Sequence, residues 1–167
     1  MLPWKSLYLL IWLGREKIYY HWFEDDDAIR IFFVDTAPGM IEDTEQVGNN
    51  VTVDYDSENR FVSLEIQGPS FLLPCCRLTG DVQDERNDDK KYVCDRHFSP
   101  NGNYSPSTDA YDVFFVNDVP SDIQLVDPSV RFVKFYKEPR LKLFKKDGYI
   151  YGFRITDASR SVQRPER

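Results

Sequence analysis

An eight-residue segment of the chain occurs twice, and this internal repeat constrains the fold more than any other feature. Residues 27–34 (DAIRIFFV) reappear as residues 109–116 (DAYDVFFV), with five of the eight positions identical. A second pair follows in the same order, residues 63–70 (SLEIQGPS) and residues 152–159 (GFRITDAS). Because each copy of a repeat is one packing unit, the chain is predicted to contain two related modules.

Strand signals dominate both modules, since short runs of β-branched and aromatic residues are bounded by turn-forming residues. Helical periodicity is weak, and residues 40–47 and 121–126 are expected to hold at most a turn or two of helix. The predicted strands cover residues 17–23, 29–34, 51–55 and 61–66 in the first module and residues 111–116, 130–136, 141–144 and 149–155 in the second.

We therefore predict a mainly β fold with little helix. Two related antiparallel β-meander modules are expected to pack as a pseudo-two-fold sandwich or roll, which makes the chain an intramolecular pseudo-dimer. The predicted parts are an N-terminal extension (1–16), a first β module (17–79), a polar linker (80–108), a second β module (109–159) and a tail (160–167).

Charge is distributed unevenly along the chain. Residues 1–85 hold 6 Lys or Arg against 16 Asp or Glu, whereas residues 131–167 hold 11 against 4. Opposite charges of this kind either solvate two faces of one body or steer different partners. With 41% hydrophobic residues, the chain has enough apolar side chains for a packed core, which argues against disorder.

Three cysteines are an odd number, which favours a reducing, cytoplasmic compartment over a disulfide-linked scaffold. The apolar run of residues 7–13 is too short to span a bilayer. It is expected to pack on the core, although a secretory or membrane-surface N-terminus stays open as an alternative.

Short motifs recur in order in the two modules: Tyr19-Tyr20, residues 27–32 (DAIRIF), 53–56 (VDYD) and 62–66 (VSLEI) in the first module, and Asp109-Ala110, Asp147-Gly148 and residues 152–159 in the second. On these motifs the first module resembles the domain-of-unknown-function family numbered 2283, and the second module keeps part of the same pattern. The resemblance implies small antiparallel β modules that pair, some of them encoded beside ribonuclease-toxin-like partners, and it implies no established activity.

Three carboxylates form the candidate acidic site. Asp54 and Asp56 alternate along one predicted strand and face the strand that carries Glu65, so the three are able to converge on a divalent cation or act as acid and base. The second module has Arg154 where the family shows glutamate, so only the first module carries this set. The alternative is a solvated strand face with a turn-capping aspartate.

Cys75, Cys76, Cys94 and His97 are the one grouping with the residue types of a zinc site. Adjacent cysteines suit that geometry poorly, because two sulfurs reach one ion best at a Cys-x-x-Cys spacing. We therefore predict ordinary thiols, no metal and no cofactor. No phosphate-binding glycine loop or catalytic triad is recognisable.

Basic and aromatic residues alternate in the second module, as they do in proteins that bind single-stranded nucleic acid. Alternation in a half-buried sheet produces the same pattern without any nucleic acid. We predict a non-catalytic binding protein with a protein partner, and the alternatives are a nucleic-acid-binding protein or, third, a carboxylate- or metal-dependent hydrolase. The candidate partner or nucleic-acid surface is Lys134, Lys137, Arg140, Lys142, Lys145, Lys146 and Arg154.

Overall fold

The computed structural model describes residues 16–17, 19–23, 25–74, 76–79, 91–94, 98, 100–128 and 137–162. Within these ranges the mainly β class is confirmed, because strands dominate and the helices have four residues each. The elements are β1 (Glu16–Lys17), β2 (Tyr19–Phe23), β3 (Ala28–Phe32), β4 (Asp43–Gly48), β5 (Val51–Tyr55), β6 (Phe61–Gln67), α1 (Pro69–Leu72), β7 (Cys76–Thr79), β8 (Lys91–Cys94), β9 (Asn101–Ser105), β10 (Ala110–Phe114), β11 (Gln124–Val126), β12 (Leu141–Lys146), β13 (Tyr149–Thr156) and α2 (Ala158–Ser161).

The first sheet has five antiparallel strands in the order β2-β3-β6-β5-β4. The predicted meander order is wrong, because β6 inserts between β3 and β5 instead of following β5 at the edge. Burial explains the difference. Residues 61–64 of β6 are all buried, so this strand needs cover on both faces and takes a central place, whereas β4 is largely exposed and lies at the edge.

The second sheet repeats this order with β9-β10-β13-β12-β11. Its register also repeats: Ala110 pairs with Thr156 as Ala28 pairs with Gln67. The short strand β1 adds a sixth strand at the outer edge of β9. A separate two-stranded sheet pairs β7 with β8.

Residues 40–47 and 121–126 were expected to hold at most a turn or two of helix. Edge strands lie in these two regions instead, β4 (Asp43–Gly48) and β11 (Gln124–Val126). The predicted linker contains β8 and β9, and β9 is an integral strand of the second sheet. Its sequence, NGNYS, has no apolar alternation to reveal it. The predicted strand 130–136 and the N-terminal run 7–13 lie outside the described residues.

The two sheets share one hydrophobic core. Phe33 of the first module packs edge-on against Phe153 of the second, with ring centroids 5.8 Å apart, and Phe153 also contacts Phe115 at 6.0 Å. The backbone of Phe61 forms a parallel bridge with Val162. No helix within the described part of the chain is long and apolar enough to cross a membrane.

Candidate functional site

The three predicted acidic residues do not share one ligand position, because each is held by its own neighbours. Asp54 is buried on β5 and accepts hydrogen bonds from the hydroxyl groups of Thr44 (2.6 Å) and Ser63. Thr44 lies on β4 and Ser63 lies on β6, and these two strands flank β5 on either side. Asp54 therefore links β5 to both of its neighbouring strands.

Asp56 lies just beyond β5 and organises the loop to β6. Its Oδ1 accepts the backbone N–H groups of Glu58 and Arg60, each at 2.9 Å, while its Oδ2 accepts Nε of Arg60 at 2.8 Å. Burial raises the pKa of Asp56, but the hydrogen bonds from Arg60 and Glu58 and the Arg60 charge together lower it below its usual value. This is the arrangement of a turn-capping carboxylate.

Glu65 is paired across the sheet with Arg30, whose terminal nitrogen donates to its Oε2 at 2.6 Å. The equivalent register position in the second sheet holds the same pair with the charges exchanged. There Arg154 donates two hydrogen bonds to Asp112, at 2.6 and 2.7 Å. The second module therefore has arginine at position 154 where the family shows glutamate, and Asp112 on the facing strand supplies the compensating charge.

We expect exchange of the first pair to be tolerated and either single change to be harmful. Arg30→Glu or Glu65→Arg places like charges opposite each other and lowers the free energy of unfolding by about 1 kcal/mol, whereas the double variant returns to within about 0.5 kcal/mol of wild type. Urea denaturation measures both. Asp112→Arg/Arg154→Asp is the matched exchange in the second sheet. The pairing is contradicted if the double variant loses as much free energy of unfolding as the two single variants lose together.

Most of the predicted basic surface is paired with carboxylates. Lys142 contacts Asp127, and Lys146 contacts Asp122 at 2.6 Å. Arg154 and Arg140 are also paired, as described above and below. Lys137 is exposed, Lys145 is half-buried, and Lys134 lies outside the described residues.

A buried polar network joins the two modules, and the sequence reasoning missed its centre, Glu138. Both oxygens of this carboxylate accept hydrogen bonds from Arg140, each at 2.8 Å. The phenol of Tyr55 donates to Oε2 at 2.8 Å, across 83 positions of sequence. One signal was available: Glu138 is the single acidic residue within the basic stretch 131–146.

Arg140 extends this network onto the first module. Its guanidinium donates to the backbone oxygen of Asn59 at 2.9 Å and lies 4.7 Å from the ring centroid of Phe61. Cation–π and charge-assisted contacts of this kind are strengthened when water is partly excluded. A residue predicted to bind a partner thus holds the two modules together.

Burial raises the pKa of Glu138, but hydrogen bonds from Arg140 and Tyr55 and the Arg140 charge outweigh it, so the net pKa lies below the usual 4.5. A group with a lower pKa in the folded state stabilises the fold above its unfolded pKa and loses that contribution as pH falls. We therefore expect the free energy of unfolding to drop between pH 5 and pH 3, and to drop less in Glu138→Gln. Urea titrations at both pH values test this, and an equal drop in both proteins contradicts it.

Each module also ties its first turn to its terminal helix through an aspartate and a serine. Asp27 accepts both the backbone N–H and the hydroxyl of Ser70, and Asp109 accepts the same two groups of Ser159, at 2.9 and 2.7 Å. Both aspartates have positive φ, 44° and 47°. The contact is therefore the same structural device in both modules.

The thiol grouping is only partly described. Cys76 and Cys94 lie directly opposite each other in the β7–β8 ladder, whereas Cys75 and His97 fall outside the described residues. Among the residues that the structure does describe, no group of three or more His, Cys, Asp or Glu is placed to hold a metal ion.

Residues 19–70 match the sequence model of a family described as "Protein of unknown function (DUF2283)". These residues are one DUF2283 domain. The DUF2283 domain runs from β2 to the first helix and contains Asp54, Asp56 and Glu65. A second β-sheet module with the same strand order follows it and lies outside the match. No curated protein and no solved structure matches the chain.

Proposed function

We propose that this chain is a non-catalytic interaction protein that engages a protein partner. The observation that carries the proposal is the contrast between its charged and its apolar groups. The candidate catalytic carboxylates and most of the candidate cations have internal partners, whereas several large apolar side chains are exposed. Aromatic side chains in such positions supply much of the binding energy at protein interfaces. The exposed residues are Tyr19, Tyr20, Ile41, Phe71, Leu125 and Tyr149.

The chain is, in this proposal, a tandem of two diverged DUF2283 domains. The common strand order and the two Asp–Ser contacts support it. The exchanged ion pairs, Arg30–Glu65 and Asp112–Arg154, support divergence by compensating changes within each copy. Fusion of two copies turns a two-fold dimer into an intramolecular pseudo-dimer, whose halves are free to differ. The odd number of cysteines supports a reducing, cytoplasmic location.

Ion pairing argues against nucleic acid as the ligand. Affinity for nucleic acid depends largely on Lys and Arg side chains that neutralise phosphates and release the counterions condensed on the nucleic acid. Lys142, Lys146 and Arg154 already have carboxylate partners, and the ring of Phe144 is stacked on Phe114 and buried. A nucleic-acid ligand therefore has to compete with these internal ion pairs for the same cations.

The test is recovery of the partner and reconstitution of the complex. The tagged full-length chain is purified from cells that express it naturally, with and without nuclease treatment. A protein that copurifies after nuclease treatment and reforms a stoichiometric complex, by light scattering, supports the proposal. Recovery of RNA alone, lost in Lys145→Glu/Lys146→Glu, supports the nucleic-acid alternative. A chain that captures neither contradicts the proposed function.

A further inference from the structure

The strand β2 lies at the edge of its sheet, and no described strand pairs with its outer side. Its sequence, YYHWF, contains no charged residue and no proline, and its ladder with β3 is regular throughout. Natural sheets usually protect such edges with charges, prolines or bulges. Tyr19 is 73% exposed and Tyr20 is 42% exposed. Within the described ranges, β3 is the one strand that pairs with β2.

The equivalent edge of the second sheet is covered by the chain itself. β9 occupies the place of β2, since Asn101 pairs with Phe114 as Tyr19 pairs with Phe32. Its outer edge carries β1, with Glu16 opposite Gly102. In the second sheet, the edge strand β9 thus accepts β1 as an added antiparallel strand. In the first sheet, the equivalent edge strand β2 has no such added strand among the described residues.

At the position equivalent to Glu16 of β1, Phe98 lies outside any strand. Phe98, which precedes β9 as Glu16 precedes β2, packs its ring against Tyr20 at 4.9 Å and against Trp22 at 6.1 Å. Pro100, two residues after Phe98, has no backbone N–H to donate. The ring of Phe98 therefore adds apolar surface beside β2, and no described residue of this segment forms a ladder with that strand.

We propose that β2 is a docking edge that accepts an extended, basic segment of a protein partner as an additional strand. This inference rests on the proposed function and names its binding surface. Backbone hydrogen bonds along β2 supply the affinity of strand addition, and alternate side chains supply its specificity.

Charge complementarity favours a basic segment over a second copy of this chain. The turn that follows β2 exposes Asp25 and Asp26, and residues 1–85 carry a large excess of acidic side chains. The chain as a whole has a net charge of −7, so two copies repel each other. On the added strand, apolar residues are expected beside Tyr20 and Trp22, and lysine or arginine beside the exposed ring of Tyr19.

The probe is a ten-residue peptide of alternating lysine and valine, titrated into the full-length chain by calorimetry. We expect it to bind at least tenfold more tightly than the glutamate–valine peptide of the same length. It is also expected to bind at least tenfold more tightly than a lysine–valine peptide with N-methylated valines. N-methylation removes backbone donors and keeps the charge, so equal binding of the methylated peptide overturns strand addition in favour of simple charge attraction.

Two variants locate the site. Tyr19→Lys places a positive charge on the edge at an exposed position and is expected to weaken binding of the lysine–valine peptide at least tenfold, as is Asp25→Asn/Asp26→Asn. Tyr149→Lys is the matched control on the second sheet, and we expect unchanged affinity. Equal binding by Tyr19→Lys and wild type overturns the proposal. A wild-type dimer that Tyr19→Lys dissociates also overturns it, since the edge then binds a second copy.

Failure of β2 as the docking edge and failure of the proposed interaction function give different experimental results. A natural partner whose complex survives Tyr19→Lys leaves the interaction function in place and removes β2 as its site. A lysine–valine peptide that binds to β2, when no natural partner is recovered, shows a docking edge without supporting the wider function.

Discussion

Glu138→Ala is expected to lower the free energy of unfolding by about 3 to 5 kcal/mol, the usual cost of breaking a buried ion pair from one side. The side chain of Glu138 is 1% exposed and that of Arg140 is 20% exposed. Removing the carboxylate leaves the guanidinium largely dehydrated and leaves the phenol of Tyr55 without its acceptor. Urea denaturation at pH 7, followed by circular dichroism, measures the loss.

Two comparisons isolate the cause. Glu58→Ala removes a carboxylate whose side chain is 70% exposed and 3.4 Å from Arg60, and we expect a change within about 0.5 kcal/mol. Tyr55→Phe removes one hydrogen bond and is expected to cost about 1 kcal/mol. The double variant with Glu138→Ala should cost less than the sum, because both changes break the same contact. A loss below about 1 kcal/mol for Glu138→Ala contradicts a network that holds the modules together.

The repeat and the alternation of side chains predicted most of the central strands, because those strands bury their apolar residues in a regular pattern. β4 and β11 escaped prediction for the opposite reason. They lie at sheet edges, where residues such as Thr44 and Gln124 are exposed and leave no alternation to detect. Strand order was not predictable from local sequence, since it depended on how completely β6 is buried.

The acidic site was predicted from an assumption of regular alternation. The ladder between β5 and β6 shifts register between Asp54 and Tyr55, and Asp56 lies beyond the end of the strand. The two aspartates therefore serve a strand face and a loop respectively, and Glu65 pairs with Arg30. Contacts made at long sequence separation, such as Tyr55 with Glu138, leave no trace in local spacing.

Gly152→Ala is the second change with a large expected effect. Gly152 lies on the central strand β13, paired with Phe114 on one side and with Phe144 on the other. An added Cβ would sit 2.0 Å from the backbone oxygen of Val113 and 3.0 Å from Cα of Phe114. Backbone atoms cannot rotate out of the way as a side chain does, so the β10–β13 ladder has to separate. We expect a loss of about 3 kcal/mol, at the upper end for overpacking.

The equivalent position in the DUF2283 domain is Ser63, which already carries a Cβ and donates its hydroxyl to Asp54. The close approach at Gly152 is therefore a property of the second sheet, where the rings of Phe114 and Phe144 stack with centroids 4.6 Å apart. Loss of the ladder is expected to expose these rings and the backbone amides of β10. Hydrogen exchange should therefore accelerate on β10 and β13 and stay slow on β3 and β6.

Gly39→Ala is the control that separates backbone collision from the strain of a positive φ. Gly39 has φ of +79°, and an added Cβ there meets nothing within 4 Å. We expect it to cost about 1 kcal/mol, from the left-handed conformation alone. If Gly152→Ala costs no more than Gly39→Ala in the same urea titration, the backbone at Val113 relaxes and the close approach does not require glycine.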